Sequence, residues 1–79
     1  MTWLSQDQMD WVHAIRQDYA AAKEQVEDNP TPEAQEQLDD IVQMRARAMR
    51  MLEHETEVTP RQLAAMFRCS KQVVRQALM

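Results

Sequence analysis

Apolar residues recur along this chain at steps of three and four, and two polar, proline-bearing segments interrupt the rhythm. Met9, Val12, Ile15, Tyr19, Ala22 and Val26 form the first series. That is the period of one helix face and predicts an amphipathic helix of about six turns. Ser5 and Gln8 stand at capping-box spacing ahead of it, with Asp7 in the first turn. Leu4, just before the cap, is positioned to staple onto Met9. Trp11 lies just off the stripe, as a core residue or a subunit contact.

The segment EDNPTP stops the first helix, because Pro30 disfavours helical geometry at Asn29. Thr31 and Pro32 then restart the chain as cap and first-turn proline. A second helix is predicted to about His54, with Ala34, Leu38, Ile41, Val42, Ala48, Met49 and Leu52 as its stripe and Met44 and Met51 widening it. Arg45 falls near that stripe and must either snorkel or pair with an acid from another helix. A short link between two long helices favours an antiparallel hairpin. Folding it about residues 28–31 would bring Lys23 to Glu36, Arg16 to Asp39 or Asp40, and Asp10 to Arg47 or Arg50. Each exposed pair would contribute only about 0–1 kcal/mol. Arg45, Arg47 and Arg50 also invite a nucleic-acid reading, but arginines near a helix C-terminus suit its dipole without one.

After the polar run EHETEV, Thr59 and Pro60 repeat the cap-plus-proline start, with Gln62 completing a second capping box. A short helix is predicted over Pro60–Phe67, a turn at Arg68 and Cys69, and a last helix capped by Ser70. The fold class is therefore all-α: two long helices as an antiparallel hairpin, residues 1–57, then a helix-turn-helix, residues 58–79, in a single domain.

Composition supports this and adds a partition. The chain of 79 residues has no glycine, which argues against hairpin turns requiring positive φ. All 13 acidic residues lie in residues 1–58 beside five basic ones, a net of −8. Residues 59–79 hold Arg61, Arg68, Lys71 and Arg75 and no acid, a net of +4, which brings the whole chain to −4. The single cysteine excludes an intrachain disulfide and fits a reducing compartment. No metal or other cofactor is expected, since His13 and His54 lack ligand spacing, and no glycine-rich phosphate loop or nucleophile–base pair points to an enzyme. The N-terminal stretch has no signal-peptide character, and no apolar run approaches a membrane span. A cytoplasmic, non-membrane protein is the expectation.

The spacing within residues 60–79 carries the functional signal. Counting Pro60 as position one, Leu63, Ala64 and Phe67 fall at four, five and eight, Cys69 at ten, and Val74, Ala77 and Leu78 at fifteen, eighteen and nineteen. Leu63, Phe67 and Val74 suit the seam between two crossing helices, and Ala64 is small where the second passes over. Cys69 suits a small buried position, an inert thiol rather than a nucleophile. The stretch QLAAMFRCSKQVVRQAL closely resembles the helix-turn-helix of bacterial and phage DNA-binding proteins. One departure is plain. Arg68 stands where that pattern has its turn glycine, so the turn either holds a left-handed arginine, at about 1–2 kcal/mol, or takes another geometry.

Two long helices followed by a terminal helix-turn-helix also resemble the Fis family of nucleoid-associated proteins and its small phage relatives, although the acidic first half departs from it. The resemblance implies a homodimer through the long helices and a last helix in the major groove of double-stranded DNA. It implies that Lys71, Gln72, Arg75 and Gln76 face base edges and that Arg61 and Arg68 bind phosphate, with the capping Ser70 beside them. A chain this small buries little surface and gains from self-association. Trp3, Trp11, Ile15, Tyr19, Ile41, Met44 and Met51 are the expected dimer contacts. The competing reading is an acidic, Met-rich module that binds a host regulator or polymerase, with the helix-turn-helix as scaffold or mimic.

Overall fold

The computed structural model describes residues 4–79. It is all-helical, with four helices and no strand among the described residues: α1 (Gln6–Asp28), α2 (Pro32–Glu55), α3 (Pro60–Phe67) and α4 (Lys71–Leu78). Both predicted capping boxes form. Ser5 Oγ accepts from the Gln8 N–H at 3.1 Å while Gln8 Oε1 accepts from the Ser5 N–H at 2.9 Å. Thr59 and Gln62 repeat the exchange at 3.2 and 2.8 Å. Thr31 and Ser70 cap α2 and α4, accepting from the N–H groups of Ala34 and Val73. Each cap satisfies donors that a helix start leaves free.

α1 packs on α2, α4 packs on α2 and α3, and α3 also touches α1. Ala22 and Gln25 lie beside Gln37 and Ile41, and Tyr19 lies beside Arg45, so rising numbers in α1 meet falling numbers in α2. These partners sit a few residues further along α2 than the charge pairing predicts. The reason is energetic. The buried stripe and the Arg45–Tyr19 stack set the register, and solvated charge pairs are too weak to override them.

One core runs through all four helices. Val12 and Ile15 of α1, Ala48, Met49 and Leu52 of α2, Leu63, Ala64 and Phe67 of α3, and Val74 and Ala77 of α4 are all buried in it. Leu4 also turns into this core, and Met9 stays 39% exposed. Val58, in the link read as polar, is buried as well and draws the α2–α3 connection inward. Ile15, expected at a dimer contact, is only 2% exposed and belongs to this core. Its place on the first stripe fits both readings, and packing by α2 and α3 decides between them.

Arg68 has φ 54° and ψ 51°, so the residue in the glycine position adopts the left-handed conformation. The Cys69 N–H reaches back to the Ala64 carbonyl at 3.0 Å, the long bond of a Schellman turn. Arg68→Gly removes a steric cost of about 1–2 kcal/mol and adds about 0.5–1 kcal/mol of unfolded-chain entropy. A net gain of about 0.5–1 kcal/mol is expected, read as a higher urea midpoint at unchanged slope.

Candidate nucleic-acid interface

α4 has only eight residues, and its inward face is settled by Val74 and Ala77, both buried. At 100° per residue, that leaves Gln72, Arg75 and Gln76 on the opposite side, with Lys71 at its edge. All four are exposed, as are Ser70, Arg68 in the turn and Arg61 in the first turn of α3. The seven residues singled out from the sequence are therefore all on the surface, and none is used in the core. No acidic residue occurs in either short helix. Ser70 has its hydroxyl oxygen committed to the Val73 N–H at 3.2 Å, so its main work is capping.

Two arginines from the long helices hold the short ones in place. Arg16 of α1 donates to the Met66 carbonyl at 3.3 Å, and Arg50 of α2 donates to the Ala77 carbonyl at 3.0 Å. Both acceptors lie in the last turn of a helix, where carbonyls lack intrahelical partners and the dipole is negative. Arg16 was expected near Asp39 or Asp40 and Arg50 near Asp10. Orphan carbonyls are the better partners, because they sit at the core edge instead of in open solvent. Sequence spacing has no signal for such contacts, which join residues 27 and 50 positions apart.

Arg45 is the residue that sequence reasoning flagged without resolving. It is 7% exposed, so it does not snorkel, and its guanidinium carbon lies 4.4 Å from the centre of the Tyr19 ring. Stacking on an aromatic face replaces the expected acidic partner. Tyr19, half-buried, thereby has one face occupied and is less of a subunit contact than its stripe position suggests. The thiol of Cys69 feels the same arginine. Burial pushes its pKa above the ordinary thiol value, and the Arg45 charge opposes this only in part. At neutral pH the thiol is protonated, the wrong form for a nucleophile.

On the long helices, Met44 and Met51 are 49% and 44% exposed. They are seven residues apart on α2, hence on one face. Ile41 is half-buried at the α1–α2 groove, and Trp11 is half-buried against the core. Trp3 lies outside the described residues. Among the described residues no group of three or more His, Cys, Asp or Glu could hold a metal, and no helix is long and apolar enough to cross a membrane.

No family model, curated protein or solved structure matches this chain.

Proposed function

We propose that this chain is a DNA-binding protein, and that it dimerises through a hairpin of α1 and α2 and presents α3–α4 as a helix-turn-helix with α4 in the major groove. The observation that carries this reading is the outward face of α4. It offers Gln72, Arg75, Gln76 and Lys71 in the open, on a helix whose other face is anchored by Val74 and Ala77. Glutamine can pair with adenine and arginine or lysine with guanine through two hydrogen bonds each. The left-handed Arg68 supports it too, because the turn keeps the geometry of a turn glycine despite the substitution.

The acidic body is the electrostatic cost. Part of it is close to the turn, since Glu24 and Glu27 of α1 line the same cleft as Arg68. Charges more than about 8 Å from the duplex are largely screened at physiological salt. Phosphate neutralisation then falls to the basic end of the chain.

Dimerisation is supported by shape. The radius of gyration is 13.0 Å, against about 12 Å expected for a compact chain of this length, and the shortest extent is 16 Å. Such a thin slab leaves Met44 and Met51 without cover, and a two-fold dimer through that face would present two copies of α4 to successive major grooves. The same exposed methionines favour a second reading, in which the face docks on a protein such as a host regulator or polymerase.

Binding to random duplex DNA at rising salt tests the function. A linear log–log loss of affinity, of slope about −0.9 per phosphate neutralised, is expected. Absence of binding even at low salt would overturn the reading in favour of the protein partner.

A further inference from the structure

We propose that the groove between α2 and α4 is an oxyanion site that seats one phosphate group between Arg45 and Arg50. The groove is open to solvent, with a volume of about 420 Å³, and its lining holds two arginines and no carboxylate.

Arg45 gives the site its rigidity. The residue as a whole is more than nine-tenths buried, with its guanidinium carbon over the Tyr19 ring. A ring face offsets the charge but accepts none of the five N–H donors in the guanidinium plane. Among the described residues no sealed side-chain nitrogen or oxygen lacks a hydrogen-bond partner, and Arg45 lines the groove. Its guanidinium nitrogens are therefore not sealed from solvent, and its side chain borders the groove. Arg50, five residues further along α2, lines the same groove, tied to the Ala77 carbonyl through one nitrogen and with further donors to spare. Gln43 and Gln76 add amide donors at the rim, and Val42 and Val73 supply apolar wall. Glu53, one turn beyond Arg50, is not among the lining residues.

Two guanidinium groups bordering one groove favour a tetrahedral oxyanion with several acceptors over chloride. The volume leaves room for the carbon substituents of a phosphate ester. Two sources present that chemistry, a backbone phosphate of DNA beside α4 or a free small phosphate ester. Only the first rests on the proposed DNA-binding function.

The test titrates the full chain with inorganic phosphate, and separately with chloride at matched ionic strength, while following the thermal midpoint. A saturable rise with phosphate alone is expected, since a ligand that binds only the folded state stabilises it. The rise should be lost in Arg50→Gln. It should also be lost in Gln43→Glu, which places a carboxylate in the groove from an exposed helical position and leaves both arginines and their core contacts in place. Equal responses to phosphate and chloride, or an undiminished phosphate response in Gln43→Glu, would overturn the site. Duplex DNA then assigns the source. A salt slope smaller by about one in Gln43→Glu identifies a backbone phosphate. An unchanged slope, with phosphate binding intact in the wild type, identifies a free phosphate ester. Failure of the wild type to bind duplex DNA would remove the proposed function and leave the phosphate titration standing.

Discussion

Leu63→Ala is expected to destabilise the protein by about 2–5 kcal/mol, the range for emptying a well-packed leucine site. Leu63 has no solvent exposure and belongs to the cluster that joins all four helices, so no surface loop can collapse into the space it leaves. A chain of 79 residues belongs near the lower end of the usual 5–15 kcal/mol stability range. The substitution therefore removes about two-fifths or more of the margin, and the urea midpoint should fall in the same proportion. A midpoint within a tenth of the wild type would mean that α3 is not integrated with α1 and α2. Met51→Ala is the informative contrast. Its side chain is 44% exposed, so the protomer itself should lose little. A destabilisation that grows on dilution would place Met51 in a subunit contact, as the dimer proposal requires. A loss independent of concentration would count against that face.

Arg75→Ala and Arg61→Ala are expected to part company on DNA. Arg75 is exposed on the outer side of α4, where a fork to guanine would be worth about 1–3 kcal/mol, roughly 5- to 150-fold in affinity for a preferred site. Random duplex should register its loss only through charge. Arg61, in the first turn of α3, is exposed at the flank and should act through phosphate. Its removal should weaken preferred and random DNA alike and lower the salt slope by about one. Sites enriched from a random pool by the wild type supply the preferred sequence. Equal and negligible effects from both substitutions would favour the protein-partner reading.

The sequence made the helices legible because each start is written in local chemistry. Ser5, Thr31, Thr59 and Ser70 all cap where side-chain logic puts them, and Pro30, Pro32 and Pro60 fix the breaks. Leu63, Ala64, Phe67, Val74 and Ala77 were legible as core because period and seam agree. Helix register was not. It depends on which contacts win between helices, and the charge pattern gave a plausible but shifted answer. Arg45 shows the limit most clearly. Its place near an apolar stripe signalled an exception, yet nothing local indicates that Tyr19, 26 positions away in the chain, would lie beneath it. Arg16 and Arg50 carried no signal, since their carbonyl acceptors exist only once α3 and α4 are packed. Ile15 went to the core for the same reason. A stripe residue faces inward or toward a partner according to what covers it, and tertiary packing decides that.

The claim that α4 is the reading element is tested most directly by amide shift mapping, with the isotope-labelled chain titrated with an enriched duplex at low salt. The account predicts perturbations concentrated at residues 70–76 and at Arg61 and Arg68, with the outer face of α1 and α2 largely unmoved. Perturbations confined to Met44, Met51 and their neighbours, or no response to duplex at all, would contradict it.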